Sequence, residues 1–218
     1  MLLHEEILSR LDDPSPLKRL IITPILDREK QIGPGSVDLR LGSEFLEIAR
    51  QSNSVMDPVG KPMATRAFVE QDRKSYVPLG GAFVLHPGQF VLGSTLEFLG
   101  LPPDLGGQVL SRSSWGRLGL LVATAVAVQP GFRGALTLEL VNAGSVPIVL
   151  RPGLRVAQLQ LWSGRPTAFP YSEGKYDAPL GPESNRLALE DDERRVLELI
   201  GDEMTARRQD PGDDSPLR

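Results

Sequence analysis

The sequence predicts a mainly β domain, a sandwich or barrel, with a short helix before it and a helical extension after it. Three observations lead there. From Ile21 onward, Pro and Gly recur at short intervals (Pro24, Gly33-Pro34-Gly35, Gly42, Pro58, Pro62, Pro78, Gly80-Gly81) and separate short apolar or alternating runs. Those runs lie roughly eight to fifteen residues apart, the spacing of antiparallel strands joined by turns. No strand pattern alternates with a long helical one, which a parallel βαβ sheet would require.

The elements follow in order. Leu2, Leu3, Ile7, Leu8 and Leu11 recur at helical spacing, and Asp12-Asp13-Pro14 ends the run. Strands are expected at Phe83–Leu85, Phe90–Leu92, Gly107–Leu110, Ala135–Val141, Val146–Leu150 and Val156–Leu161. Turns at His86-Pro87-Gly88, Pro102-Pro103, Pro130-Gly131, Asn142-Ala143-Gly144 and Arg151-Pro152-Gly153 punctuate them. Residues 51–80 are weakly patterned and read as a surface excursion. Residues 171–186 are rich in Gly, Pro and polar side chains and read as a mobile arm closing the β domain of residues 1–186. Residues 187–208 read as a helical extension, and 209–218 as a disordered tail.

Composition narrows the chemistry. The 218 residues contain no cysteine, which removes disulfides, thiolate nucleophiles, Fe–S clusters and Cys-based zinc sites. The two histidines, His4 and His86, are not in a metal-ligand spacing. No apolar run approaches the ~20 residues of a membrane span. The acidic N-terminus does not read as a secretory signal, so a cytoplasmic protein is expected. The formal charge is −4, but it is uneven. Residues 190–218 hold ten acids against five arginines, whereas 111–155 hold Arg112, Arg117, Arg133, Arg151 and Arg155 against the single acid Glu139. That basic stretch suits either an anionic ligand or a solvated surface. An extended nucleic-acid groove fits poorly with an acidic chain so poor in aromatics.

Two segments stand out chemically. In Ala135-Leu136-Thr137-Leu138-Glu139-Leu140-Val141, period-two alternation sets Leu136, Leu138 and Leu140 on one face and Glu139 on the other. Glu139 is either a solvated strand residue or a carboxylate whose proton affinity is set by a pocket. The segment Ser111-Arg112-Ser113-Ser114-Trp115-Gly116-Arg117-Leu118-Gly119-Leu120 places hydroxyls, two guanidinium forks and glycines together. It can cradle phosphate oxygens, or it is a hydroxyl-capped turn with surface arginines. Phe132, in the turn Gln129-Pro130-Gly131-Phe132-Arg133-Gly134, can stack on a sugar or base or simply pack. Gln158 is a polar strand residue, and Lys175-Tyr176 offers a cation and an aromatic in the arm.

In sequence order these pieces resemble the dCTP deaminase family of the dUTPase-like superfamily. The resemblance rests on Gly35-Ser36-Val37-Asp38-Leu39-Arg40-Leu41-Gly42, Leu85-His86-Pro87-Gly88, Val91-Leu92-Gly93-Ser94-Thr95 and Arg112-Ser113-Ser114-x-x-Arg117-Leu118-Gly119-Leu120. It continues through Thr124-Ala125, Pro130-Gly131-Phe132-x-Gly134, Thr137-Leu138-Glu139-Leu140, Pro147-Ile148-x-Leu150-x-Pro152-Gly153, Gln158-Leu159 and Gly174-Lys175-Tyr176, covering about residues 20–185.

The resemblance implies a distorted β-barrel or jelly roll assembled as a homotrimer with active sites between subunits. It implies zinc-independent deamination of dCTP to dUTP and ammonia, supplying dUTP for thymidylate synthesis. Glu139 would be the catalytic carboxylate, with Ser113 and Arg117 beside it. Arg112 and Ser114 would hold phosphates, and Thr124 and Ala125 would help position water. Gln129 would sit where the nucleotide sugar is recognised, and Phe132 would pack against the deoxyribose. Gln158 would face the triphosphate and its Mg²⁺, while Lys175 and Tyr176 would close over the nucleotide. The absence of cysteine agrees, since zinc nucleobase deaminases use a Cys-bearing ligand set. No nucleic-acid or membrane partner is implied.

Three departures from the family pattern are expected to matter. The hairpin Val122–Gly131 lacks the usual histidine and is one residue shorter before Thr124. Gln129 replaces an Asp, so it can hydrogen-bond but cannot act as an anionic base. Pro179 replaces a polar Gln in the arm. A dUTP pyrophosphatase, alone or combined with deamination, and a nucleotide-binding regulator without catalysis are the competing expectations.

Overall fold

The computed structural model describes residues 1–48, 72–122, 127–167, 179–183, 193, 195 and 196. The chain divides into two compact units, residues 1–50 with 71–184 and residues 51–70 with 185–218. In the second unit the described residues Glu193, Arg195 and Val196 are helical. The rest of the expected extension and the tail lie outside the described residues, as do positions 171–178 of the arm.

The first unit opens with α1 (His4–Leu11), whose Glu6 carboxylate accepts the Leu3 backbone N–H at 2.8 Å and closes the first turn. Ile7 is its buried anchor. Then come β1 (Ile21–Thr23), α2 (Arg28–Gln31, capped by Asp27 at the Lys30 N–H), β2 (Val37–Glu47), β3 (Arg73–Tyr76), β4 (Phe83–Leu85) and β5 (Phe90–Gly100). The chain continues as β6 (Leu105–Ser111), the single turn α3 (Ser113–Gly116), β7 (Leu120–Val122), β8 (Ala127–Val128), β9 (Arg133–Asn142), β10 (Ile148–Leu150) and β11 (Arg155–Ser163). No helix among the described residues is long and apolar enough to cross a membrane.

The expected β domain is present, as a curled half-barrel. Its main sheet runs β7-β9-β5-β2-β11-β6-β8, with β1 added on β5 and β3 on β2, and every pairing is antiparallel. β4 and β10 form a separate ribbon. Two expectations need correction. The span 51–80 was read as an excursion, yet Arg73–Tyr76 pairs with β2; its mostly exposed charged residues gave no alternation to read. The strand expected at Val146–Leu150 pairs only from Ile148, and Val146 is exposed.

β2 is the corner of the fold. Residues Val37–Arg40 pair with β11, whereas Leu41 and Phe45–Glu47 pair with β5. Register shifts interrupt β5 between Ser94 and Phe98 and β2 between Leu41 and Phe45, so the ladder opens there. Side chains fill the opening. Thr95 Oγ1 accepts the Leu136 N–H at 2.9 Å and donates to the Glu97 carbonyl at 2.7 Å, and Glu97 Oε2 accepts the Arg40 N–H at 2.8 Å. The core inside the curl is aliphatic: Leu39, Leu41, Leu99, Leu138, Leu140, Val156, Leu159 and Leu161 are all buried, with Phe45 stacked on Phe83 at 4.5 Å between centroids.

The curl nearly closes where β7 meets β6. Ser111 Oγ accepts the Val122 N–H at 3.0 Å and lies 3.3 Å from the Val122 carbonyl, so one hydroxyl substitutes for a ladder step. Gly134, at φ +143°, is needed for a different closure. A Cβ there would sit 2.5 Å from Pro179 Cδ, and the Pro179 carbonyl accepts the Ala135 N–H at 2.7 Å. Pro179 thereby covers the edge of β9 that β7 leaves open. Replacing Ser111 by Ala strands the Val122 N–H at the seam, and urea unfolding is expected to show a loss of about 1–3 kcal/mol.

Candidate functional site

The site is built from two places on the sheet. The first surrounds Asp38, a buried carboxylate on the β11-paired half of β2. Gln158 is its direct cross-strand partner, and its Nε2 donates to Asp38 Oδ1 at 3.1 Å. Arg155 Nη1 donates to Asp38 Oδ2 at 3.0 Å and to the Lys30 carbonyl at 2.7 Å. Arg112 Nη1 lies 3.4 Å from the same Oδ2. One carboxylate therefore faces two guanidinium groups, leaving a positive surplus with most of the Arg112 fork uncommitted.

Arg112 stands at the entry to α3, with its backbone N–H on the Val156 carbonyl at 3.2 Å. Trp115 fixes this turn, donating from Nε1 to the Arg155 carbonyl at 2.8 Å and packing on the core. Ser113, Ser114 and Arg117 are exposed, and among the described residues their side chains make no hydrogen bond or ion pair. Backbone amides and hydroxyls are thus presented beside two arginines, an arrangement that grips phosphate oxygens.

The second place is Glu139, halfway along β9 and opposite Leu92 of β5. Leu138 and Leu140 point into the core, so Glu139 faces outward and is half-buried. Its carboxyl makes no hydrogen bond or ion pair among the described residues, and burial alone raises its pKa above the ordinary carboxylate value. On the same face, Val141 pairs with both Phe90 and Leu121, which are 40% and 47% exposed. Glu139 therefore stands on an apolar ledge open to the outside.

The structure brings Arg112 and Gln158 together through Asp38. Among the described residues, neither Ser113 nor Arg117 makes a hydrogen bond or ion pair with Glu139. Gln129 is exposed, and its carbonyl accepts the Phe132 N–H at 3.1 Å. Phe132 is 9% exposed and belongs to the core cluster. Thr124, Ala125, Lys175 and Tyr176 lie outside the described residues. Reading the sequence missed Asp38, Arg155 and Trp115 as site-organising residues. Asp38 and Arg155 carried a signal, an acid and a base on two strands; Asp38 pairs with Gln158 and Arg155 with Arg40, so the two meet diagonally across that register.

Beneath Asp38 lies a buried network. Glu97, 0% exposed, accepts Gln31 Nε2 at 2.9 Å and Arg40 Nη1 at 3.3 Å on Oε1, while Gln31 Nε2 also donates to the Asp38 carbonyl at 3.0 Å. Arg40 Nη1 also bonds Gln31 Oε1. Burial raises the Glu97 pKa against the opposing pull of Arg40.

Among the described residues no three His, Asp or Glu side chains are grouped to hold a metal. With Asp38 committed to its cations, Gln158 Oε1 is an acceptor that fits a hydrated cation delivered by an anionic ligand.

Residues 1–164 match the family model described as dCTP deaminase-like. A protein of Natronomonas pharaonis named dCTP deaminase is 43% identical over 187 residues, covering 84% of this chain and 92% of its own. One of Dictyoglomus thermophilum named dCTP deaminase, dUMP-forming, is 42% identical over 178 residues, covering 79% and 89%. Among solved structures, the 2′-deoxycytidine 5′-triphosphate deaminase of Agrobacterium tumefaciens aligns with a TM-score of 0.55 and 26% identity over 75% of this chain. This chain spans 47% of that longer one.

The raised pKa of Glu139 can be tested directly. Its carboxyl resonance is expected to titrate with a midpoint above the ~4.3 of an unperturbed Glu, and a midpoint at or below that value would contradict the desolvated setting.

Proposed function

Since this chain belongs to the dCTP deaminase family, we propose that it converts dCTP and water to dUTP and ammonia, with Glu139 as general base and acid. Nucleotide deamination is the activity of this enzyme. The observation that carries the assignment of Glu139 is that its carboxylate is desolvated and, among the described residues, unbonded, so burial raises its proton affinity.

In the proposed reaction, Glu139 takes a proton from water as the oxygen bonds to C4 of cytosine. It delivers that proton to N3, then carries the proton of the new C4 hydroxyl to the amine; the C4–N bond breaks, ammonia leaves and C4 becomes the carbonyl of uracil. Thr124 and Ala125 help orient the water, and Ser113 and Arg117 stabilise the changing charge. Arg112 and Ser114 hold phosphate oxygens, with Lys175 and Tyr176 closing over the nucleotide. Gln129 bonds the sugar hydroxyl, and Phe132 backs the deoxyribose. Mg²⁺ arriving with the triphosphate would neutralise phosphate charge, with Gln158 facing its hydration shell.

The two halves of the site are assigned to different subunits of a homotrimer. Supporting this are the outward face of Glu139, the exposed Leu121 and Phe90 beside it, and, among the described residues, no hydrogen bond or ion pair from Glu139 to Ser113 or Arg117. A partner covering that ledge would exclude water from Glu139 and supply the cationic half.

A second reading adds pyrophosphatase activity, giving dUMP. It is favoured by relatives of nearly equal identity that bear either name. Gln129 argues against it, because an amide cannot activate water as an anionic base.

Glu139→Gln is expected to lower kcat for ammonia release from Mg·dCTP by about 10²–10⁴-fold while dCTP still binds. Retained turnover would overturn the assignment. Chromatography of the wild-type product separates the readings, dUTP for deamination alone and dUMP for the coupled reaction.

A further inference from the structure

We infer that Glu97 is a positioning residue for triphosphate binding, fixing the β2 backbone from which Asp38 organises Arg112, Arg155 and Gln158. The inference rests on the phosphate-binding role proposed for that cluster.

The argument begins with the break in the ladder. Between the Leu41–Thr95 and Phe98–Ala135 pairings, β5 keeps β9 on one edge but exchanges β2 for β1 on the other, and β2 has turned to β11. The backbone at Asp38–Arg40 is then paired on the β11 side only, and its other edge needs partners inside the protein. Glu97 supplies them. Its Oε2 takes the Arg40 N–H at 2.8 Å, and its Oε1 takes Gln31 Nε2 at 2.9 Å, which in turn donates to the Asp38 carbonyl at 3.0 Å. One carboxylate thus holds the backbone on both sides of Leu39.

The neighbouring charges suit that task. Arg40 is the only cation bonded to Glu97 among the described residues, at 3.3 Å, and its side chain is 10% exposed. A buried pair of this kind contributes little net stability but fixes geometry. That geometry is passed on to the surface, because the Asp38 side chain leaves the same backbone to meet Gln158 Nε2 and Arg155 Nη1. Displacing this backbone by a few tenths of an ångström would misalign three groups at once.

Two substitutions test this. Glu97→Gln keeps the size but replaces one of two acceptor oxygens by NH₂, which then faces either the Arg40 N–H or Gln31 Nε2, donor against donor. Gln31→Met leaves Glu97 paired with Arg40 but removes the bridge from Glu97 to the Asp38 carbonyl, together with the Gln31 Oε1 bonds to Arg40 Nη1 and the Leu26 N–H. Each variant is assayed with Mg·dCTP for KM and kcat and with dCMP as a competing ligand, and urea unfolding is followed alongside. The expected result is a KM for Mg·dCTP raised about tenfold or more, with kcat within about twofold and the dCMP inhibition constant unchanged. A variant that loses dCTP and dCMP binding equally, or leaves KM unchanged, overturns the inference. Should Glu97→Gln fail to fold, Gln31→Met decides it by the same criteria. If the wild type neither binds nor deaminates dCTP, the proposed function itself fails, which is distinct from a working wild type matched by its variants.

Discussion

The fold turns on one buried carboxylate. A sheet that curls this tightly must let strands change partners, and each change leaves backbone amides without a ladder. At the main corner, where β2 passes from β5 to β11, Glu97 takes up the orphaned Arg40 N–H and, through Gln31, the Asp38 carbonyl. An unpaired amide there would cost the full desolvation of a buried donor. Placing an acid inside the protein costs energy too, which the raised pKa of Glu97 registers and Arg40 offsets. The aliphatic interior packs around this polar hinge.

From that corner outward the molecule separates groups that are tied from groups left available. Asp38 is bonded to Gln158 and Arg155 with Arg112 close by, which suits a scaffold for binding a polyanion. Glu139 is the reverse, a carboxylate desolvated by burial with no cation bonded to it among the described residues. A pocket needs both kinds, because charge that grips a triphosphate would depress the pKa of a base placed beside it. Setting the two on different parts of the sheet keeps them electrostatically independent within one chain.

Much of the fold was legible in the sequence. Alternation in Ala135–Val141 gave both the strand and the outward face of Glu139, because one side of β9 is core and the other is not. The start of β2 was noticed only as a family motif, not as a strand, because six successive residues from Val37 are buried and the two faces do not differ. β3 was invisible for the opposite reason, lacking a buried face. The arginine-rich segment was visible in composition. Its anchor Trp115 was not, since a partner forty residues away in sequence is unreadable without register.

By itself the sequence determined the mainly β class, the strands with one dry face, the absence of thiol chemistry and, through its ordered motifs, the family. These are local properties: residue type, period and spacing suffice for them. The tertiary structure alone decided which charges meet. Asp38 lies more than a hundred residues from Gln158 and Arg155, and only the β2–β11 register brings them within hydrogen-bonding distance. It also decided that Glu97, unremarked in the sequence between Leu96 and Phe98, is fully buried. A carboxylate's role depends on what surrounds it, and the surroundings of these three acids are set by strand pairing across the whole chain.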